Sequence, residues 1–411
     1  MSLEQNPGSS VCCPGVRKFL GLAVLLMPVV IGSYLLIKSK PAQAEAVARQ
    51  EDKKKGEPEF PPPELTGGSG WLNTAGPIKL KDLRGKIVIL DFWTYCCINC
   101  IHMLPTLAKL EKKYEKQLVV IGVHSAKFEN EKKTEHIRKA ILRYEIAHPV
   151  VNDAEMKIWR KFGVSSWPSL AFIDPEGNYL GKVGGEIPFE RLDKFMQLLI
   201  KEHRKKKTLN EKPIKFQLAS ASEDGKSPLF FPGKILADEK SNRLFIADST
   251  HHRIVITDLN GKKIDIIGTG KVGKDDGAYD KATFNDPQGM ALAGEIMYLA
   301  DRRNHLIRKI DLKKKTVKTI AGVGEQGFAR FAKGKPLEIG LNSPWALHLR
   351  GDDLFIAMAG HHQIWKMDLK NNVIGNYAGN GYENILDGTL ADSKFAQPSG
   401  LTSDGKNLYV A

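Results

Sequence analysis

Residues 94–100 read Thr94-Tyr95-Cys96-Cys97-Ile98-Asn99-Cys100, and this heptapeptide holds three of the five cysteines in the chain. Ahead of it runs Lys86 to Phe92 (KIVILDF), a short apolar, β-branched stretch of the kind that forms a strand buried on both faces. Behind it, His102 to Lys116 places Met103, Leu104, Leu107, Leu110 and Tyr114 at helical spacing. Cys97-x-x-Cys100 therefore falls where a buried strand runs into a helix. A thiolate at Cys97 would receive unpaired backbone N–H groups and the positive end of the helix dipole, which can lower a cysteine pKa from about 8.5 to roughly 3.5–7.5. The two-residue spacer sets Cys100 one turn further on, within reach of a mixed disulfide at Cys97. Cys97 is the expected nucleophile and Cys100 the expected resolving thiol.

Other chemistries compete for these cysteines. Zinc needs about four ligands, and Cys96, Cys97, Cys100 and His102 crowd one turn with no distant second pair. Haem attachment in its usual form is excluded, because Ile101 rather than histidine follows Cys100. A peroxiredoxin-like site has Thr94 three residues before Cys97 but lacks the proline expected ahead of that threonine. A pair of buried structural thiols is the plain alternative. Cys96 is read as a packing or tuning residue, with a third redox thiol as the sharper alternative.

The alternation continues outward. Leu118 to Val123 (LVVIGV) reads as a second strand, Glu129 to Tyr144 as an amphipathic helix, and Leu170 to Ile173 as a third strand ahead of the turn Asp174-Pro175-Glu176-Gly177. The pattern predicts an α/β sheet with helices on both faces over residues 70–205.

Beyond a basic linker at 206–225 the pattern changes to short strands and glycine-rich turns over 226–411, and a repeat emerges. Leu244-Phe245-Ile246-Ala247-Asp248, Met297-Tyr298-Leu299-Ala300-Asp301 and Leu354-Phe355-Ile356-Ala357 each precede a histidine-bearing turn, and a fourth copy begins at Leu408. Pro232, Pro287, Pro344 and Pro398 lie upstream of the copies, 55, 57 and 54 positions apart. These units have the form of propeller blades, about three and a half of them, so an incomplete propeller is expected. His252, His305 and His362 recur at equivalent places, which favours a structural role in each blade over metal ligation.

Several of these stretches resemble known families. Trp71-Leu72-Asn73, Leu80 to Lys86, Asp91-Phe92-Trp93, Cys97-x-x-Cys100 and Pro105 follow the order of the TlpA-like branch of the thioredoxin superfamily. The resemblance implies that Asp91 is a buried acid taking the resolving thiol's proton, and that Pro168 is a cis-proline facing the cysteine pair. Cys96 stands where that branch commonly has tryptophan, and Ile98-Asn99 where it has Gly-Pro. The blades resemble NHL repeats, named for the Asn304-His305-Leu306 tripeptide, and the combination closely resembles the NHL repeat-containing protein 2 family. The fold implied is multidomain, an α/β thioredoxin-like fold followed by an all-β NHL propeller. The function implied is thiol–disulfide exchange on a protein substrate or redox partner, with the propeller as a protein-binding platform. No cofactor or metal is implied beyond a Cys97–Cys100 disulfide. The alternative is a non-catalytic propeller scaffold in which the thioredoxin-like domain is architectural.

Bulk properties constrain the remainder. The 411 residues exceed one ordinary domain, and a net charge of +14 raises the question of nucleic acid. The excess gathers in linker runs such as Lys53-Lys54-Lys55 and Lys205-Lys206-Lys207, so nucleic-acid binding is not expected. Residues 1–18 precede Phe19 to Ile37, an uncharged apolar run close to the ~20 residues that span a bilayer, and a Pro- and Lys-rich tether occupies 38–69. The expectation from residues 19–37 is a membrane anchor with extracytoplasmic domains, in periplasm or lumen. A cleaved signal peptide, secretion or a cytosol-facing orientation are the alternatives.

Overall fold

The computed structural model describes residues 58–217 and 227–411. The apolar run 19–37, expected to cross a membrane, lies outside the described residues.

The α/β domain is built on a six-stranded sheet in the order β1-β4-β3-β2-β5-β6. Its strands are β1 (Gly70–Leu72), β2 (Ile87–Trp93), β3 (Leu118–His124), β4 (Val150–Asn152), β5 (Ser169–Ile173) and β6 (Tyr179–Gly184). Strands β2, β3 and β4 run parallel, while β1, β5 and β6 close the sheet antiparallel. Helices α1 (Ile98–Lys113), α2 (Thr134–Arg143), α3 (Lys157–Lys161) and α4 (Phe189–Lys206) complete the domain. Every residue of β2 and β3 is buried, as the unbroken apolar runs predict. One face packs Val88, Leu90 and Phe92 against Val119, Ile121 and Trp159; the other packs Ile87 and Ile89 against Leu107, Leu110 and Met196 of α1 and α4.

Two boundaries differ from expectation, each for a local reason. Helix α1 begins at Ile98, directly after the first cysteine of the pair, because Cys97 itself caps it. The helix expected over Glu129 to Tyr144 is split into a 3-10 turn at Glu129–Lys132 and α2. Glu131 is the cause. Its carboxylate turns inward to accept from Lys127 N at 2.7 Å, Phe128 N at 2.9 Å and Cys96 N at 3.1 Å, and from the Thr94 hydroxyl.

The C-terminal region is a succession of antiparallel sheets with the form of a β-propeller. The first holds β7 (Lys234–Asp238), β8 (Arg243–Asp248), β9 (Arg253–Thr257) and β10 (Lys263–Ile267). The second holds β11 (Gly277–Ala278), β12 (Pro287–Ala293), β13 (Ile296–Asp301), β14 (Leu306–Asp311) and β15 (Thr316–Ala321). The third repeats that plan with β16 (Lys333–Gly334), β17 (Pro344–Arg350), β18 (Asp353–Met358), β19 (Gln363–Asp368) and β20 (Val373–Ala378). A hairpin of β21 (Leu401–Ser403) and β22 (Leu408–Val410) follows. The leading strands β7, β12, β17 and β21 pack in sequence, one sheet on the next. Gly289 of β12 is needed for this approach: a Cβ there would stand 2.6 Å from the Ala346 backbone of β17.

The recurrent histidines join one sheet to the next. Nδ1 of His252 accepts from Asp286 N at 3.1 Å, Nδ1 of His305 from Ser343 N at 2.9 Å, and Nδ1 of His362 from Gln397 N at 3.2 Å. All three adopt left-handed backbone, with φ between 51° and 54°, which ends the short turn and points the ring at the next blade. An imidazole accepts on Nδ1 only while that nitrogen is unprotonated. Burial, followed by His102 and Arg302, depresses His305 to about 3, and burial likewise lowers His252 and His362. A histidine whose folded pKa is depressed contributes stability that is complete above its unfolded value of about 6.5 and is lost progressively as the pH falls from there toward about 3. Acid titration of the chain, followed by tryptophan fluorescence, is expected to show propeller destabilisation starting below pH about 6.5. His305→Ala, which strands the buried Ser343 N–H, is expected to cost about 1–3 kcal/mol in denaturant unfolding and to flatten that acid limb.

Candidate active site

The site begins with Asp91, a carboxylate in the middle of β2. Its register partner on β3 is Gly122 and on β5 is Leu170. Asp91 is fully buried, and neither carboxylate oxygen has a hydrogen-bond partner among the described residues. Burial raises its pKa to about 7, His148 acting in the opposite direction and Glu111 adding to the rise. Two residues further along, β2 ends at Trp93 and the chain turns through Thr94, Tyr95 and Cys96, held from below by Glu131.

The cysteine pair sits at the head of α1. Cys97 Sγ accepts from Cys100 N at 3.3 Å, so the side chain takes one of the N–H groups that the helix cannot satisfy internally. Cys97 is 3% exposed and Cys100 not at all. Burial first, then the contact with Cys97, raises the Cys100 thiol well above its ordinary range, with a smaller upward contribution from Asp91. This asymmetry suits one thiol to attack and the other to require a base. Cys97 and Cys100 share a cluster with Trp93, Leu104 and Ile137, against which Trp167 packs. The Trp167–Pro168 peptide bond is cis, and the Trp167 indole N–H donates to Ser125 O at 3.0 Å.

Cys96 behaves differently. It reaches solvent at the edge of a cavity of about 540 Å³ that Tyr95, His136, Lys139, Arg143, Phe231 and Trp345 also line. Partial burial, followed by Glu131, pushes its thiol up to about 12, so it is protonated at neutral pH and poorly suited to act as a third nucleophile. Among the described residues Cys96, Cys97 and Cys100 form no disulfide.

The propeller meets this site directly. Gln397 Oε1 accepts from Ile98 N, the first N–H of α1, and Lys127 pairs with Glu383. His102, one turn into α1, places Nδ1 2.8 Å from Glu186 Oε1 and Nε2 2.7 Å from Ser343 Oγ, and Gln326 bridges the same glutamate. None of Glu131, His148, Gln326 or Gln397 was marked by the sequence. Each lies more than 30 residues from the cysteines and matters only through the packing. His148 follows an otherwise ordinary loop, and no local pattern marks Glu131, which is nevertheless buried.

Among the described residues Asp174, Glu176 and His203 lie within metal-ligand reach of one another. They are otherwise engaged, with Asp174 holding Asn178 at 2.8 Å, Glu176 paired with Lys206 and His203 bonded to Thr208 at 2.8 Å.

The family model described as thioredoxin-like matches residues 85–179, which run from the turn before β2 to the start of β6. The thiol-disulfide oxidoreductase ResA of Bacillus cereus is 30% identical over 29% of this chain and 67% of its own length. The chain belongs to the thioredoxin-like family. Its similarity to proteins with both parts reaches further. NHL repeat-containing protein 2 of Gallus gallus is 44% identical over 83% of this chain and 50% of its own length. The chloroplastic protein SUPPRESSOR OF QUENCHING 1 of Arabidopsis thaliana is 44% identical over 85% of this chain and 34% of its own length. This thioredoxin-like chain spans about half the length, or less, of the curated relatives that match it most fully. The expected placement of the chain as membrane-anchored and extracytoplasmic requires correction. Among the described residues no helix is long and apolar enough to cross a membrane, and the Arabidopsis relative is chloroplastic by name.

Asp91 gives a direct test of the electrostatics. Its folded pKa lies above the unfolded value near 3.8, so its contribution is fully present below that value and is lost as the pH rises through about 7. Asp91→Asn is therefore expected to match the wild type below pH about 4 and to be more stable by a few kcal/mol above pH about 7, as read by denaturant unfolding at the two extremes.

Proposed function

We propose that the chain is a thiol–disulfide oxidoreductase of the NHL repeat-containing protein 2 kind, acting on protein thiols or disulfides, with its propeller-like region as the platform that holds the protein partner. In this reading Cys97 is the nucleophile, Cys100 the resolving thiol and Asp91 the base. Pro168 would serve as the cis-proline beside the pair, and the redox-active group is the Cys97–Cys100 disulfide itself. The observation that carries it is the capped and asymmetric pair: Cys97 Sγ on a helix N–H at 3.3 Å, and Cys100 fully buried and electrostatically linked to Asp91. A structural thiol pair needs neither a helix cap nor an unpaired carboxylate beneath it, and leaving such a carboxylate unpaired costs stability. The relatives named for thiol–disulfide exchange support the same reading.

In the exchange, a Cys97 thiolate attacks one sulfur of a partner disulfide and the second partner sulfur leaves with the electron pair. Cys100 then loses its proton to Asp91 and attacks Cys97 Sγ, releasing the partner's first thiolate. The partner is reduced and the chain holds the Cys97–Cys100 disulfide. Run backward, the same steps oxidise a dithiol partner.

One observation favours the scaffold alternative. Cys97 is almost wholly covered, and Gln397 occupies the N–H of Ile98 beside it. Exchange with a protein therefore requires the propeller to yield at this contact.

Alkylation mass spectrometry in graded dithiol/disulfide buffers separates the two readings. A reversible Cys97–Cys100 disulfide is expected, with Cys100→Ser accumulating a mixed disulfide at Cys97; thiols that stay reduced at every poise would leave the scaffold. Gln397→Ala is expected to speed alkylation of Cys97 severalfold without changing that of Cys96, which already reaches solvent.

A further inference from the structure

Three residues outside the cysteine motif converge on Asp91. Gly122 stands directly opposite Asp91 in the β2–β3 pairing, and its missing side chain lets neighbouring groups close in on the face that the carboxyl occupies. A Cβ at Gly122 would stand 2.9 Å from Trp93 Nε1, 3.1 Å from Val150 Cγ2 and 3.4 Å from His148 Nε2, which places both nitrogens against that glycine. These two nitrogens and both Asp91 oxygens are buried and have no hydrogen-bond partner among the described residues. An indole donor, two carboxylate acceptors and an imidazole nitrogen left unpaired in one buried neighbourhood are groups between which a proton can pass, directly or by an ordered water.

His148 has a second partner on its other side. Its Nδ1 lies 3.1 Å from Glu111 Oε2, on the fourth turn of α1. His148 is buried, whereas the Glu111 side chain is 23% exposed and opens on a cavity of about 190 Å³. Asn73 fixes the loop that carries the histidine, its amide donating to Ile146 O at 2.8 Å and His148 O at 3.0 Å. The imidazole thus bridges the interior, where Asp91 lies, and the surface, where Glu111 lies.

We propose that His148 and Glu111 form a proton relay joining Asp91 to solvent during thiol–disulfide exchange. The inference rests on the redox reading of Cys97 and Cys100. When Cys100 attacks Cys97 Sγ in a mixed disulfide, its proton goes to the Asp91 carboxylate and the partner leaves as a thiolate. Asp91 passes the proton, directly or by an ordered water, to His148 Nε2. His148 then gives its Nδ1 proton to Glu111, and Glu111 gives it to water. One proton leaves for each disulfide formed, and the imidazole ends with its hydrogen on Nε2. Reduction of the disulfide returns one proton by the reverse steps and restores the Nδ1 tautomer. His148 and Glu111 touch no substrate; they position and move the proton of the base.

The electrostatics around the path agree with this role. Burial depresses His148, but Glu111 and then Asp91 outweigh it and leave the imidazole more basic than usual. The ionisable groups facing the path are Cys97, Cys100 and Glu111 from α1, Tyr144, Glu145 and His148 from the segment between α2 and β4, and Arg303 from the propeller. His124 of β3 stands edge-on to Trp93, ring centroids 5.0 Å apart, and interacts with Glu131 rather than with Asp91.

The test uses the full chain loaded at Cys97 with a thionitrobenzoate mixed disulfide, in wild type, Asp91→Asn, His148→Gln and Glu111→Gln. Release of the coloured thiol by Cys100 is followed in single turnovers across pH. In wild type the rate is expected to rise through an apparent pKa near 7. His148→Gln and Glu111→Gln are each expected to slow release roughly tenfold at neutral pH and to move that apparent pKa, a smaller loss than the ~10²–10⁴ of removing the base in Asp91→Asn. Glu111→Gln, at a partly exposed position, keeps the test independent of any folding defect in His148→Gln. Unchanged rates and pH profiles in both relay variants, with Asp91→Asn still slow, would overturn the relay and leave the redox reading intact. No thiol release by wild type would overturn both.

Discussion

The strand Ile87–Trp93 is buried along its whole length, and it carries one carboxylate. A strand buried on both faces can run only through the centre of a sheet, so its end must emerge under whatever element follows. Here that element is α1, and the emerging residues are the cysteines. The same burial that forces β2 into the centre denies Asp91 its water, holds its pKa near 7 and makes it a base at neutral pH. Shape and reactivity at this site therefore share one cause. The cost is an acid with no hydrogen-bond partner among the described residues, and that cost is what Asp91→Asn is expected to relieve.

A second constraint acts on the propeller. Blades pack through leading strands whose side chains are mostly small or apolar, an association with little directional preference of its own. The three histidine-to-backbone bonds between successive sheets supply direction, because an imidazole acceptor and a single N–H meet in one geometry. The sheet order also brings Gln326, Ser343, Glu383 and Gln397 onto the face that meets α1. The propeller thereby touches the first N–H of the helix beside the reactive pair. Access to Cys97 becomes a property of both parts of the chain, although the cysteines belong to one.

The cysteine pair, its strand and its helix were legible because their signals are local: a period of two or of 3.6, a run of β-branched residues, a two-residue spacer. The blade repeat was legible because similar sequences recur at nearly constant intervals, and His252, His305 and His362, equivalent by that repeat, each accept from a backbone N–H of the next sheet. The helix expected from Glu129 failed in its first turn for a tertiary reason. Four donors from Thr94, Cys96, Lys127 and Phe128 converge on Glu131, and a carboxylate that satisfies them cannot also sit on a solvent-facing helix.

By itself the sequence determined the order of elements, the α/β and propeller-like architecture and the position of the cysteine pair, since each follows from spacing along one segment. Tertiary structure alone decided which distant groups meet. Asp91 faces Gly122, Trp93 and His148 because parallel register sets residues 91 and 122 side by side and the loop before β4 folds over them. The Ile98 N–H beside Cys97 meets Gln397, 299 positions away, because the sheets stack in one order. Contacts of that kind depend on how strands pair and blades pack, and no short-range period records them.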